Sequence, residues 1–320
     1  MPRSLLWLTV ICIVLASGCA RDNVVALSGR QEIVETGKQP FRLAPGLAPN
    51  RAVVSCFGGS VVQEISLAPL EVTATLDVLE GPQDLVLDQD QKAVYCLHTR
   101  ENALAILEGE PLRVKRKART GSLSLAGAAV RPQAGELWIC DGTTGVSIFG
   151  MPCVCLQRKV HVGRYPQSIL FTPDGQEAWV TLKGENAVVV LDTKTLAEKR
   201  RVTVGIYPQA ILLAGNTVCV ANAGSKDVSL IDRVKYEERA RIRVFKQPQA
   251  LALRGRTLWV ACGRSFRLAV IDVAQARLFG TLRTGFYPGD ILAMKDGSLV
   301  VTAPEKNRVV RITPEMPAQQ

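Results

Sequence analysis

The sequence predicts an all-β protein, a seven-bladed β-propeller with four-stranded antiparallel blades. Two observations carry this. Pro40, Pro82, Pro166, Pro208, Pro248 and Pro288 fall 42, 84, 42, 40 and 40 residues apart, and four of them are followed by Gln. A period near 40 residues marks stacked copies of one supersecondary unit, and the double step leaves room for a degenerate copy near Leu125. Each copy also contains four short apolar runs separated by the Pro, Asp, Gly and Asn punctuation of tight turns. Units of this kind are propeller blades, whose radial arrangement leaves only short, protected edges.

The elements follow in chain order. Residues 1–18 carry Arg3, an apolar run from Leu5 to Ala16 and the small residues Ser17 and Gly18. The run is too short to span a bilayer and reads as a secretory signal. Residues 19–31 read as a short tether. Glu32 to Gly37 resembles the outer strands that precede the other prolines, so it is expected to supply the fourth strand of the last blade. The propeller domain is then 32–314, with a Pro- and Gln-rich tail at 315–320.

Within the domain, the unit from Tyr165 is the clearest. Ile169 to Phe171, Ala178 to Thr181, Ala187 to Leu191 and Arg200 to Val204 form its four strands, with Pro173, Asp174 and Gly175 making the first turn. The order recurs from Tyr207 and from Pro248. Unit three is fixed by Pro132, Gly135 and Leu137 to Cys140. The last unit has room for only three strands before the chain ends.

The stretches Gly163 to Asp192, Gly205 to Asp232 and Pro248 to Asp272 resemble the YVTN-type propeller repeats of exported bacterial and archaeal proteins. The tetrapeptide itself is replaced by Trp179 to Leu182, Val220 to Ala223 and Trp259 to Cys262. That resemblance implies the propeller fold. It implies no activity, because one fold hosts many functions. Leu15 to Cys19 likewise resembles the bacterial lipobox, with Leu one place further from the Cys than usual, and implies lipidation at Cys19. Ordinary signal cleavage after Gly18 is the alternative. Either outcome places the protein outside the cytoplasm, on the outer side of the cytoplasmic membrane or in the periplasm or outer membrane.

Beyond Cys12 and Cys19, seven cysteines remain, an odd number that cannot pair completely. Cys56, Cys96, Cys140, Cys219 and Cys262 fall in second strands, where an unpaired thiol acts as a compact hydrophobe. Met151, Cys153 and Cys155 alternate. On a strand they would share one face, and soft sulfur ligands suit Cu(I), so they form a candidate metal site, with a local disulfide as the alternative. His98 and His161 are isolated and fit neither zinc nor haem spacing. No cofactor is expected.

Gln83, Gln167, Gln209 and Gln249 occupy the same place in four units, at the start of the innermost strand. They should form a partial ring at one mouth of the central channel, with Asp84 and Asp290 one residue further on. Such a ring either binds a polar ligand or cation, or satisfies the backbone of neighbouring blades. Asp192, Asp232 and Asp272 end third strands and should cap the turns that follow.

Lys and Arg number 39 against 29 acids, a formal charge of +10. Much of the excess lies on expected fourth strands: Arg113, Lys115, Lys117 and Arg119, then Lys199 to Arg201, then Arg239, Arg241 and Arg243. Charge on an outer edge discourages strand-to-strand aggregation, and it can attract anionic headgroups. The expectation is therefore a monomeric, non-catalytic module that binds a protein partner or a small polar ligand through one face. It would be held at the membrane by a lipid, and it would not bind nucleic acid. A propeller enzyme of the lactonase or lyase kind, with its site at the mouth, and a metal or redox accessory are the alternatives. Labelled palmitate should enter the wild-type protein and be lost in Cys19→Ala; label retained in the variant would place the acyl chain elsewhere.

Overall fold

The computed structural model describes residues 24–121 and 125–315. Almost every regular element is a strand. The first sheet contains β2 (Pro40–Pro45), β3 (Arg51–Cys56), β4 (Val61–Leu67) and β5 (Leu70–Asp77) in that order. The next holds β6 (Pro82–Asp88), β7 (Ala93–His98), β8 (Ala103–Glu108) and β9 (Arg113–Arg119), and a third holds β10 (Ala128–Arg131), β11 (Glu136–Cys140), β12 (Gly145–Gly150) and β13 (Cys155–His161). Then come β14 (Pro166–Phe171), β15 (Glu177–Leu182), β16 (Ala187–Asp192) and β17 (Glu198–Thr203), followed by β18 (Pro208–Ala214), β19 (Thr217–Asn222), β20 (Asp227–Asp232) and β21 (Glu237–Arg243).

The sixth sheet has eight strands. It runs through β22 (Pro248–Arg254), β23 (Thr257–Cys262), β24 (Arg267–Asp272) and β25 (Arg277–Arg283), crosses to β1 (Val25–Glu35), and continues through β28 (Arg308–Glu315), β27 (Leu299–Ala303) and β26 (Ile291–Ala293). At the crossing, Val25 to Leu27 of β1 lie parallel to Gly280 to Leu282 of β25. Every other pairing in these sheets is antiparallel, as connections of a few residues require.

The first strands of successive units touch in cyclic order from β2 through β6, β10, β14, β18, β22 and β26 and back to β2. Apolar side chains fill the spaces between sheets. Ala44, Val53 and Val62 of the first sheet pack against Leu85, Val94 and Leu107 of the second, and Val54 and Ile65 meet Val300 and Val309 across the closing seam. The chain is a β-propeller. Second and third strands are buried almost throughout, and fourth strands such as β5 alternate half-buried with exposed. The fourth-strand cations are exposed as expected, some paired, such as Lys115 with Glu108 and Arg241 with Glu238.

One boundary is corrected. The strand expected from Glu32 begins at Val25, so most of the 19–31 tether is sheet. From Ser28 to Glu35 it pairs antiparallel with Glu315 to Arg308. The polar run Ser28 to Gln31 hid it: most of the strand's side chains are exposed, so pairing to β28 demands no continuous apolar alternation. Glu315 ends β28 rather than opening the tail. The signal segment, Cys19 and residues 316–320 lie outside the described residues.

The five buried thiols are in second strands as read from the sequence, all unpaired. Burial pushes the Cys56, Cys219 and Cys262 thiols up to about 12, so they stay neutral and unreactive. Asp192 and Asp232 each accept backbone N–H bonds from the two residues that follow the next one, and Asp272 accepts one from Gln275, confirming them as turn caps.

Because β1 supplies the partner of β28 and also reaches β25, deleting residues 25–35 should lower the Tm by about 10 °C or more, or leave the chain insoluble. A soluble, cooperatively melting truncation with an unchanged Tm would contradict the closure.

Candidate functional site

The turn that enters each inner strand follows one rule. Gln39, Tyr165, Tyr207 and Gln247, each just before a proline, have φ between 53° and 57°, and Gly81 holds the same place at 67°. This left-handed region favours glycine and costs other residues roughly 1–2 kcal/mol each. The conformation aims each carbonyl at the loop between second and third strands: Gln39 accepts from Phe57 N–H at 3.0 Å, Tyr165 from Lys183 at 2.9 Å, Tyr207 from Ala223 at 2.9 Å and Gln247 from Gly263 at 3.0 Å. Both loop sets therefore share one face of the propeller.

The residue after each proline is then pushed out of the ladder. Pro82 pairs with His98 and Asp84 with Leu97, so Gln83 is the extra residue of a β-bulge. Gln167, Gln209 and Gln249 are skipped in the same way. A bulge re-aims its side chain, and here the four amides turn to the axis. They line a cavity of about 490 Å³. Phe41, Ala126 and Gly289 hold the equivalent place in the other three units and line it too. Gly127 beside it has no room for a side chain, since a Cβ would lie 2.4 Å from the Gln167 carbonyl oxygen.

The predicted ring forms, but its members differ. Gln249 is buried and tied down: its amide donates to the Pro288 and Gly289 carbonyls at 2.8 Å each, and its oxygen accepts from the Tyr287 hydroxyl at 2.7 Å and the Gln247 amide at 3.1 Å. This is the backbone-satisfying role. Gln83, Gln167 and Gln209 are half-buried at the cavity wall, and their amides have no hydrogen-bond partner among the described residues.

Asp84 and Asp290 converge. Between them lies Arg42, with its Nε 3.4 Å from Asp84 and its Nη1 3.6 Å from Asp290. Both acids also bridge to the next unit's inner strand: Asp84 Oδ2 accepts from Ala128 N–H and Asp290 Oδ2 from Leu43 N–H, each at 2.9 Å. Burial pushes the Asp84 carboxyl up from its ordinary value, against the pull of Arg42. Arg42 was missed in the sequence because its unit has Phe41 in place of Gln. Two buried carboxyl groups thus share one guanidinium.

Aromatic residues complete the mouth. Phe41 and Phe57 lie with ring centroids 6.0 Å apart, and Tyr287 lines the cavity beside them. Around the rim, Tyr165, Ile206, Tyr207 and Phe266 are each about half exposed. Their exposure is not periodic enough to read from the sequence.

The sulfur site does not form as expected. Residues 151–154 make a turn after β12, so Met151, Cys153 and Cys155 do not share a strand face. Cys153 and Cys155 are joined by a disulfide, and Met151 packs toward the Tyr95 and Phe149 cluster. Pro152 is the physical reason: it lacks the N–H that a continuing ladder uses. Among the described residues, no group of three or more His, Cys, Asp or Glu is placed to hold a metal. A second cavity, of about 890 Å³, opens on the opposite face beside Arg51 and Arg311, the latter already paired with Asp296.

No family model matches the chain, and no curated protein matches it. Among solved structures, it resembles hydrazine synthase from Kuenenia stuttgartiensis, with a TM-score of 0.75 and 13% identity over 88% of this chain and 96% of that one. It also resembles the Cps50 (Swd1) β-propeller domain from Myceliophteria thermophila, with a TM-score of 0.76 and 10% identity over 89% of this chain and 99% of that one. At such identities the likeness shows the fold alone.

His98 faces Pro82 and is fully buried, with no partner for either ring nitrogen among the described residues. Burial pushes it down to about 4, against the pull of the backbone at Leu79 and the Glu101 carboxylate. The unfolded imidazole titrates near 6.5. Between those values the unfolded chain binds the extra proton, so stability falls as pH drops through that window, by up to about 3 kcal/mol at its lower end. Leu182 holds the equivalent register opposite Pro166. His98→Leu should therefore flatten the fall in urea midpoint between pH 7 and pH 4.5, and an equal fall in both proteins would contradict the assignment.

Proposed function

We propose that the protein is a seven-bladed, YVTN-like propeller that acts without catalysis as an exported, lipid-anchored binding module. In this reading the eight-stranded sheet is two blades joined where β1 touches β25, and β1 is the fourth strand of the last blade. Seven inner-strand starts lining one cavity support the count. The binding face is the mouth of the channel. The observation that carries this is the unspent polar capacity there: three amides from three blades converge on the cavity with no partner among the described residues. Buried or half-buried polar groups ordinarily find partners, and sites of roughly 300–1,000 Å³ suit small ligands.

The exposed Tyr165, Ile206, Tyr207 and Phe266 around the rim give a partner protein an apolar ring to dock on. Arg113, Lys117 and Arg119 on one outer edge make no ion pair among the described residues, and would favour anionic headgroups at low salt.

An enzyme with its site at the mouth is the second reading, favoured by the raised Asp84 carboxyl beside Arg42. Against it, both oxygens of Asp84 and of Asp290 already accept backbone N–H bonds, which suits ties between blades better than proton transfer.

A photo-crosslinking residue at Tyr207, on the mouth face, should give an adduct when the protein is activated in its native membranes. The same residue at Val234, which follows the opposite end of β20 and is 67% exposed, should give none. Adducts from position 234 alone, or from neither, would overturn the choice of face.

A further inference from the structure

We infer that the channel mouth is a subsite for a neutral saccharide. The inference rests on the mouth being the binding face, and it names the ligand class. Its first support is the chemistry of the free groups. A carboxamide both donates and accepts hydrogen bonds, so it complements a group that also does both. Vicinal sugar hydroxyls are such groups. Gln83, Gln167 and Gln209 present three amides along one arc of the wall, from β6, β14 and β18.

The second support is the aromatic lining. Phe41, Phe57 and Tyr287 line the same cavity, contributed by the first and last units of the ring, with the Gln39 amide among them. Amides and aromatic rings around one cavity match a pyranose, which carries hydroxyls at its rim and C–H groups on its faces. The few placed polar groups fix orientation while the rings supply apolar area.

The third is charge. Arg42 is the sole cation among the described lining residues, and it is engaged by both Asp84 and Asp290. Glu305 at the rim adds a further acid, whose carboxylate accepts from Tyr287 N–H. A sugar phosphate or uronate would meet this surplus of carboxylates without a free cation. A cationic ligand would find guanidinium groups already beside two of the rings, Arg42 at 6.0 Å from the Phe41 centroid and Arg100 at 4.9 Å from that of Phe57. A neutral ligand escapes both conflicts. An extended peptide binds along a strand edge or groove, whereas a cavity encircled by strand starts receives the end of a ligand, such as the terminal residue of a glycan.

The test uses the full mature chain and saturation-transfer NMR with titration calorimetry. The probes are glucose, galactose, mannose, N-acetylglucosamine, cellobiose and chitobiose, with glucuronate and dialanine as comparisons. At least one neutral sugar is expected to bind with 1:1 stoichiometry, and glucuronate at least tenfold more weakly. The double variant Gln167→Ala/Gln209→Ala should lose about tenfold in affinity, as two hydrogen bonds of ordinary strength imply. These residues are half-buried and have no side-chain hydrogen-bond partner among the described residues, so an unchanged Tm will show the variant is folded. If no neutral sugar binds, or the folded double variant binds as well as wild type, the saccharide assignment is overturned. If dialanine binds instead and the double variant loses it, the saccharide falls while the mouth remains the binding face. If no probe binds and the crosslinker at position 207 is also silent, both fall.

Discussion

The pairing of β1 with β28 is the constraint on which the remaining architecture depends. It joins residues about 280 positions apart, Ser28 with Glu315 and Glu35 with Arg308. A ring of sheets has no stable partial form with an open seam, because each seam face is an apolar surface such as Val54, Ile65, Val300 and Val309. The entropic cost of closing so long a loop grows only logarithmically with length, so one strand of eight paired residues can offset it. Its parallel contact with β25 adds a second hold, on the β22 to β25 half of the same sheet. The two ends of the domain are therefore fixed to each other, and any N-terminal anchor would sit close to the last sheet.

Closure at the outer edge is matched by polar ties at the axis. Asp84 reaches Ala128 of the next inner strand, Asp290 reaches Leu43 across the seam, and Gln249 reaches Pro288 and Gly289. These bonds satisfy N–H and C=O groups that the inner strand, unpaired on its axial side, would otherwise leave bare. The same place in the repeat thus serves two ends. Asp84, Asp290 and Gln249 are spent on such ties, whereas the Gln83, Gln167 and Gln209 amides make none among the described residues.

Much of this was legible in the sequence because repetition amplifies weak signals. One Pro-Gln pair says nothing, and four at a fixed period place the amides around one mouth. The acids Asp84 and Asp290 were legible as departures from the repeat at a known place. Arg42, their shared partner, was not, because Phe41 removed the marker that would have pointed to it. The β-bulge that aims each Gln inward is a matter of register, which no composition reveals. The turn at Met151 to Val154 was misread since alternation of sulfur residues resembles a strand, and only Pro152 argues otherwise. The early start of β1 was hidden by the polarity that an exposed edge permits.

The departures from the repeat carry unequal weight, and burial separates them. On the second strands, Trp138 and Trp179 donate their ring N–H to Glu136 and Glu177 two residues earlier, on the same face. Trp259 has Thr257 there, and its buried N–H has no partner among the described residues. That departure costs stability and offers nothing to a ligand, because it is sealed between sheets. Arg42 and Asp84 depart from the repeat at the cavity wall, beside the half-buried amides of Gln83, Gln167 and Gln209. A polar group left unsatisfied in the core is a defect, whereas one left unsatisfied at an open mouth is binding capacity, since water holds it at little cost until a better partner arrives. The mouth is therefore the place where this scaffold can lose its regularity without losing its fold.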